Sequence, residues 1–244
     1  MSELTIVPVP TAAPVARPAR FALPVLLTGT VLIIVDFFIV NVALPSVQAG
    51  LHASTAALEW VVAGYGLTLA VFLVAAGRLG DRYGRRRVFS AGLAVFTLAS
   101  ALCGLAPSPD VLVAARLMQG LGAAMISPTV LGLVGANYTG TARARAIGTY
   151  ATVMGVAAAC GQLLGGVLLR LDPGGLGWRT VFLVNVPIGV LALVAAPRCI
   201  PESRAERPVR VDVPGLLLLT AGLTALVLPL VDGRSAGWPD WALA

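Results

Sequence analysis

Charged residues are scarce in this sequence of 244 residues, where they make up only 11% of the chain and lysine is absent. An ordinary soluble domain carries about 25% charged residues. Hydrophobic residues make up 58%, and the mean hydropathy is +0.91. These values exclude a soluble globular domain and indicate a protein that folds in lipid.

Cysteine and histidine are too few for several kinds of functional site. Cys103, Cys160 and Cys199 have neither the spacing of metal ligands nor the even number of a disulfide framework, and His52 falls in a predicted loop. No loop combines a nucleophile, a base and an orienting group. We therefore expect no metal, no cofactor and no enzymatic activity.

Apolar runs of about 20 residues, the length that crosses a bilayer, recur along the chain. The predicted spans cover about residues 22–45, 59–77, 88–106, 110–134, 146–169, 180–197 and 214–231. The first run is too long for a cleaved signal peptide and predicts an uncleaved anchor.

The spans divide the chain into four expected regions. These are a disordered cytoplasmic tail (1–20), a six-helix transmembrane bundle (21–197), a basic cytoplasmic linker (198–213), and a seventh transmembrane helix with an external end (214–244). Another apolar stretch starts at Ala242, so we expect the chain to be truncated.

Arginine placement predicts the orientation, because positive residues in short loops stay on the cytoplasmic side. One side collects Arg17, Arg20, Arg78, Arg82, Arg85, Arg86, Arg87, Arg143, Arg145, Arg198, Arg204, Arg207 and Arg210. The other side has Arg170, Arg179 and Arg234. We predict a multi-pass protein of the cell (inner or plasma) membrane with a cytoplasmic amino terminus. The basic excess reflects topology and lipid, not nucleic acid.

The segment between the second and third spans carries the most information. It reads Gly77-Arg78-Leu79-Gly80-Asp81-Arg82-Tyr83-Gly84-Arg85-Arg86-Arg87. Glycine allows a tight turn with positive φ. Asp81 is expected to pair with nearby arginines at the amino end of the following helix. A loop that only sets topology would explain the arginines but not the Gly-x-x-x-Asp-x-x-Gly frame.

This segment resembles the signature loop of the major facilitator superfamily, Gly-x-Leu-Ala/Gly-Asp-Arg-x-Gly-Arg-Arg/Lys. The resemblance implies an all-α membrane protein: the six-helix amino-terminal bundle of the major facilitator fold, of two inverted three-helix repeats, plus one additional transmembrane helix. It also implies a gating loop that latches the two halves of a carrier. The expected gating residues are Gly77, Gly80, Asp81, Arg82, Gly84 and Arg85.

Two charged residues, Asp36 and Arg116, lie inside predicted spans. A carboxyl group in hydrocarbon costs roughly 2.5 to 3.5 kcal/mol, so Asp36 is a functional candidate by default. At 1.5 Å per residue, Asp36 and Arg116 lie about 13 and 9 Å below the outer surface. We hypothesise that they share a polar cavity and couple transport to protons, with Asp36 as the proton carrier because Arg116 stays charged. The alternative is an Asp36 that only bonds a neighbouring helix.

Four further segments resemble the drug:proton antiporters with fourteen spans. Asp36 to Pro45 matches Leu-Asp-x-Thr-x-Val-Asn-Val-Ala-Leu-Pro, with Phe38 in place of Thr. Arg116 to Gly120 matches Arg-x-x-Gln-Gly, and Trp178 to Gly189 matches Trp-Arg-x-x-Phe-x-x-Asn-x-Pro-x-Gly. Gly161 to Gly166 matches Gly-Pro-x-x-Gly-Gly, with Gln162 in place of Pro.

These segments supply the remaining site candidates. The expected substrate-cavity residues are Asn41, Tyr65, Gln119 and Gln162. Span five also carries small residues at spacings of three and four, which let helices pack closely. The expected helix-packing residues are Gly155, Gly161, Gly165 and Gly166.

The resemblance implies proton-coupled efflux of hydrophobic or cationic small molecules, of the multidrug or antibiotic type, by alternating access. The expected partners are lipid, substrate, protons and a missing carboxyl-terminal bundle that closes the cavity. Two alternatives stay open: a metabolite carrier of the same fold, which Gln162 favours, and a non-transporting fragment or half of a split carrier.

Overall fold

The structure, a computed structural model, describes residues 21–206 and 212–236, with side chains through residue 227. The predicted tail (1–20), residues 207–211 of the predicted linker and residues 237–244 lie outside this part. The helices are α1 (Ala22–Leu51), α2 (Thr55–Tyr83), α3 (Arg85–Gly104), α4 (Pro109–Asn137), α5 (Gly140–Leu171), α6 (Thr180–Leu183), α7 (Asn185–Cys199) and α8 (Val213–Ala236).

Within the described residues, six helical segments are long and apolar enough to cross a membrane. The sixth, Gly177–Cys199, joins a 3₁₀ turn (Gly177–Arg179) to α6 and α7. A seventh apolar helix is shorter over its described side chains, Val213–Val227. The predicted fold class, an all-α six-helix bundle with one additional helix, is confirmed.

Several helices begin or end where local chemistry requires it. The side chains of Ser54 and Ser108 accept hydrogen bonds from the backbone N–H groups of Ala57 and Val111, at 3.2 and 3.4 Å, and so cap α2 and α4. Gly84 alone separates α2 from α3 and has φ of +114°, which a side chain would oppose. The predicted loop over residues 77–87 is therefore mostly helical.

Consecutive long helices run antiparallel, so the junctions between them lie at two opposite ends of the bundle. The arginine-rich end contains the α2–α3 junction at Gly84, the α4–α5 junction and the end of α7. The opposite end contains the α1–α2 turn at His52, the α3–α4 turn and Asp172 after α5. Helix α4 packs between α2 and α3, α1 packs along α5 and α7, and α8 packs on α2.

Helix α4 approaches its neighbours closely because it carries glycine at the contacts. A Cβ on Gly122 would lie 2.6 Å from the backbone nitrogen of Phe96 on α3, and one on Gly120 would overlap the carbonyl oxygen of Tyr65 on α2. Real Cβ atoms essentially never approach another heavy atom so closely. These glycines therefore bring α2 and α3 close enough to α4 to enclose the side chains between them.

The small residues of α5 divide into two sets. A Cβ on Gly161 would lie 3.1 Å from the carbonyl oxygen of Val35, and one on Gly165 would lie 3.0 Å from Ile39, so both pack against α1. The packing expected at Gly155 and Gly166 stays a prediction, since it has no partner in the described part of the chain. Nothing there lies within 4 Å of an added Cβ, because these two residues are on the exposed side of α5.

Candidate functional site

A charged pair lies at the centre of the bundle. Arg116 Nη1 of α4 donates to Asp36 Oδ2 of α1 at 2.5 Å, and both side chains have no exposed surface. Charges removed from water this completely need close partners and further hydrogen bonds. The structure brings together the two residues that sequence reasoning placed at similar depths.

Gln119 extends the pair one turn along α4. Its Nε2 donates to Asp36 Oδ1 at 2.7 Å and to the hydroxyl of Ser100 at 2.8 Å. Its Oε1 accepts from Arg116 Nη1 at 2.7 Å and from the Cys103 thiol at 3.6 Å. These contacts fix the orientation of the amide, and they show that Gln119 belongs to the charged network rather than to an open cavity.

Asn185, the first residue of α7, is a member that sequence reasoning missed. Its Nδ2 donates to Asp36 Oδ1 at 2.8 Å, and the residue is 2% exposed. An amide in an apolar span within the Trp178-to-Gly189 motif was the available signal. Ser100 was also missed, since a single hydroxyl in an apolar helix gives little sign of its partner.

Arg116 has partners on three sides. Its Nε donates to the carbonyl oxygen of Val61 at 2.9 Å. Its guanidinium carbon lies 4.3 Å from the centre of the Tyr65 ring and 5.9 Å from that of Phe182, within the range of cation–π attraction. Tyr65 donates its hydroxyl to the carbonyl oxygen of Ile33 at 3.2 Å, so this predicted cavity residue is also fully enclosed.

The partners of the Asp36 carboxyl group share one chemical property. The side-chain groups that contact Asp36 among the described residues, from Arg116, Gln119 and Asn185, are all hydrogen-bond donors. An ionised carboxylate, which only accepts hydrogen bonds, suits all three donors. A proton on Oδ1, which already accepts from Gln119 and Asn185, would compete with one of these two donors.

The other two predicted cavity residues lie outside this network. Asn41 is exposed on α1, where its Nδ2 donates to the carbonyl oxygen of Phe37 at 3.0 Å. Gln162 is exposed on α5 and lines a shallow groove with Gly166 and Arg170. Neither touches the Asp36 network. They lie on neighbouring helices, at the surface of the described bundle.

The predicted gating residues lie at the arginine-rich end. Asp81 belongs to the last turn of α2 and not to the start of the following helix, because α2 continues to Tyr83. Its Oδ1 accepts from Arg85 Nη2 at 2.7 Å and from Arg85 Nε at 3.0 Å. Arg82 is exposed and lies 5.4 Å from the centre of the Tyr83 ring.

The two remaining gating candidates, Gly77 and Gly80, face α4. A Cβ on Gly80 would lie 3.0 Å from Thr129, and one on Gly77 would lie 3.5 Å from Pro128. A larger side chain at Gly80 would therefore push α2 away from α4.

Residues 201–206, part of the predicted linker, bind this junction. Arg85 N donates to the carbonyl oxygen of Ser203 at 2.8 Å, and Ala205 N donates to that of Asp81 at 3.1 Å. Glu202 Oε1 accepts from Arg86 N at 3.0 Å, and its Oε2 lies 3.7 Å from Arg86 Nε. The segment after α7 is therefore attached to the α2–α3 junction.

Long apolar helices, a fully buried ion pair and one arginine-rich end define the class, which is a multi-pass integral membrane protein. In the described part of the chain, no group of three or more His, Cys, Asp or Glu side chains could hold a metal ion. The sequence profile of the Major Facilitator Superfamily matches residues 26–242. The chain belongs to this superfamily, which is a family of membrane transporters and not of enzymes.

Similar proteins include transporters of antibiotics. The chain is 45% identical over 222 residues to the "Probable actinorhodin transporter" of Streptomyces coelicolor, covering 91% of this chain and 38% of that protein. It is 44% identical over 229 residues to the "Cephamycin export protein CmcT" of Amycolatopsis lactamdurans, covering 93% and 46%. The chain thus spans less than half the length of these relatives.

The fold is also found in a solved transporter. A bacterial homolog of the human lysosomal transporter Spinster, in an inward-facing and occupied conformation, superposes with a TM-score of 0.65. The two are 24% identical, and the match covers 78% of this chain and 47% of that one. At this identity the similarity shows the fold alone.

Proposed function

We propose that this chain forms the amino-terminal half of a proton-coupled exporter of hydrophobic or cationic small molecules. The observation that carries the proposal is the enclosed Asp36 carboxylate, ringed by donors in an apolar bundle. A charge in such a place is expensive and marks a functional site in membrane proteins. Asp36 binds the proton, and Arg116, which stays charged, favours its release.

Transport in this proposal proceeds by alternating access. A second bundle closes a cavity at the surface of the first, and rocking of one bundle against the other exposes the site to each side in turn. Asn41 and Gln162 supply polar groups at that surface, while Tyr65 and Gln119 lie inside the bundle beside Arg116. The named antibiotic transport and export proteins support an exported, drug-like substrate.

Gating and orientation belong to the same proposal. The arginine-rich end faces the cytoplasm, in agreement with the positive-inside rule. The α2–α3 junction is the gate, in which Asp81 holds Arg85 and the segment after α7 covers both. Gly77 and Gly80 keep α2 close to α4 beneath the gate, and exposed Arg82 is available to the second bundle.

Everted membrane vesicles with the complete gene product test this function. The probes are a lipophilic cationic dye and a neutral aromatic antibiotic, each with the proton gradient intact and collapsed. We expect uptake that needs the gradient, and its loss in Asp36→Asn. The matched control is Asp110→Asn, because Asp110 is an exposed carboxylate in the first turn of α4.

Three results would contradict the proposal. Gradient-driven uptake that survives Asp36→Asn would remove Asp36 from the proton path. Uptake that ignores the gradient would indicate a carrier without proton coupling. Absence of uptake for both probes, together with uptake of a polar metabolite, would assign the fold to a metabolite carrier.

A further inference from the structure

The Asp36 carboxylate binds helix α7 as well as helix α4. Asn185 Nδ2 reaches Asp36 Oδ1 from the first residue of α7, at 2.8 Å. In the described part of the chain, this is the one hydrogen bond made by the Asn185 side chain. One buried contact thus joins α1 to the start of α7.

The start of α7 also lacks one regular backbone hydrogen bond of the sixth span. Helix α6 ends at Leu183 and α7 begins at Asn185, with Val184 between them. Pro187 has no N–H group to donate to the carbonyl oxygen of Leu183, so the regular hydrogen bond across this point is missing. Val184 keeps helical backbone angles, with φ of −60° and ψ of −28°, so the span continues as a helix and the side-chain contact of Asn185 lies beside this one missing bond.

Protonation of Asp36 affects its three partners differently. A protonated carboxyl carries its hydrogen on one oxygen. In the structure, both oxygens of Asp36 accept hydrogen bonds from donors. Arg116 stays bound through Val61, and Gln119 through Ser100 and Cys103. Asn185 has no such second contact among the described residues, so its bond is the one most easily released.

The other ionisable groups around Asp36 are few. Arg116 faces it from α4, Tyr65 from α2 and Cys103 from α3. From α5, α6 and α7, the described residues bring no titratable side chain into contact with it. Arg116 does not titrate at ordinary pH, so Asp36 is the group whose charge changes there.

We propose that Asn185 is a positioning residue that ties α7 to α1 while Asp36 is ionised and releases α7 when Asp36 takes up a proton. This inference rests on the proposed role of Asp36 as the proton carrier. It gives the proton a structural effect, because the charge of one carboxylate on α1 determines whether one buried hydrogen bond to the sixth span is kept.

Carbodiimide labelling of the complete gene product in proteoliposomes tests the proposed link between Asn185 and the charge of Asp36. A hydrophobic carbodiimide modifies protonated buried carboxyl groups, so labelling of Asp36 against pH gives the midpoint of its protonation. Asn185→Leu removes a hydrogen bond to a charged group, and we expect the midpoint to rise by about one to two pH units. Asn137→Leu is the control, because Asn137 is a buried amide whose side chain, among the described residues, donates to the carbonyl oxygen of Leu133 and makes no contact with Asp36.

A second measurement follows the helices themselves. Spin labels at exposed Ser46 on α1 and Leu191 on α7 report their separation. We expect the distance distribution of the unmodified sequence to change between about pH 8 and pH 5, and that of Asn185→Leu to resemble the acid form at both. If Asn185→Leu does not fold, Asn185→Ser keeps a weaker donor and should shift the midpoint in the same direction.

The outcomes separate this inference from the proposed function. The inference about Asn185 would be wrong if the labelling midpoint of Asp36 is unchanged in the Asn185 variants, or if the spin-label distance distribution does not change with pH. Either result would overturn it even if Asp36→Asn abolishes proton coupling. If Asp36→Asn leaves coupling intact, the proposed function fails, while the labelling midpoint still reports whether Asn185 stabilises the charge of Asp36.

Discussion

Removing one charge of the Asp36–Arg116 pair should destabilise the bundle, and the effect should depend on which charge remains. Both side chains are fully enclosed and their charged atoms are 2.5 Å apart. Breaking a buried pair by removing one partner costs about 3–5 kcal/mol. This corresponds to about two to three and a half orders of magnitude in the folding equilibrium.

The stability of only one of the two single variants should depend on pH. Asp36→Leu leaves Arg116, which cannot lose its proton, so its cost should be nearly constant. Arg116→Leu leaves Asp36, which can fold as a neutral acid. The unfolded chain releases that proton above a pKa of about 3.9, so raising the pH favours unfolding by about 1.4 kcal/mol per unit. Between about pH 5 and pH 7 the Arg116→Leu variant should lose about 2.7 kcal/mol.

The double variant supplies the control. Replacing both members of a buried pair by apolar residues is often neutral. Here the Asn185 amide loses its partner, at about 1–3 kcal/mol if it stays buried, whereas the carbonyl oxygen of Val61 keeps its hydrogen bond within α2. We therefore expect the double variant to be more stable than Asp36→Leu and less stable than the unmodified sequence.

The thiol of Cys103 provides the assay. It is fully buried and 3.6 Å from Gln119 Oε1, so it becomes reactive only when the network opens. With Cys160 and Cys199 replaced by Ser, maleimide labelling during an SDS titration gives the free energy of unfolding. The maleimide labelling rate of each variant is divided by the labelling rate of the unfolded protein at the same pH. Equal, pH-independent losses in both single variants would refute the reasoning.

Two further predictions concern helix packing and the segment after α7. In the same SDS titration, Gly161→Leu should destabilise the bundle by about 1–3 kcal/mol, because the new side chain meets the α1 backbone. Gly155→Leu, on the exposed face of α5, should destabilise it by less than about 0.5 kcal/mol. Glu202→Ala removes charged hydrogen bonds at the α2–α3 junction, so trypsin should cleave after exposed Arg204 about tenfold faster. Glu206→Ala is the control, and equal cleavage of both variants would show that Glu202 does not hold the segment.

The sequence predicted the number of spans well, because apolar runs of the required length are a strong signal. Their bounds were predicted less well, since a helix continues after its apolar run ends. Helix α5 begins at Gly140, six residues before its predicted span, and α2 reaches Tyr83. Polar residues at the ends of these helices resemble a loop in sequence, although the backbone stays helical until Gly84 interrupts it.

The charged pair could be predicted from depth alone, because residues in helices of known direction advance by 1.5 Å each. The contact of Asn185 with Asp36 could not be predicted in this way, since the position of Asn185 around the axis of α7 depends on how α3 and α1 pack against that helix. The same limit explains Gly155 and Gly161. Both lie on a regular stripe of small residues, and only tertiary packing decides which part of the stripe is covered.

The chain places its two groups of ion pairs in different electrical surroundings. Helix α3 is about 30 Å long, the thickness of the hydrocarbon layer, and it begins at Arg85. A bilayer spanned by α3 would place the pairs of Asp81 and Glu202 at its boundary, in agreement with their partly exposed side chains. Dissolved ions screen charges there over about 8 Å at physiological ionic strength. The enclosed Asp36–Arg116 pair has no access to such ions, so added salt should loosen the arginine-rich end and leave the centre of the bundle unchanged.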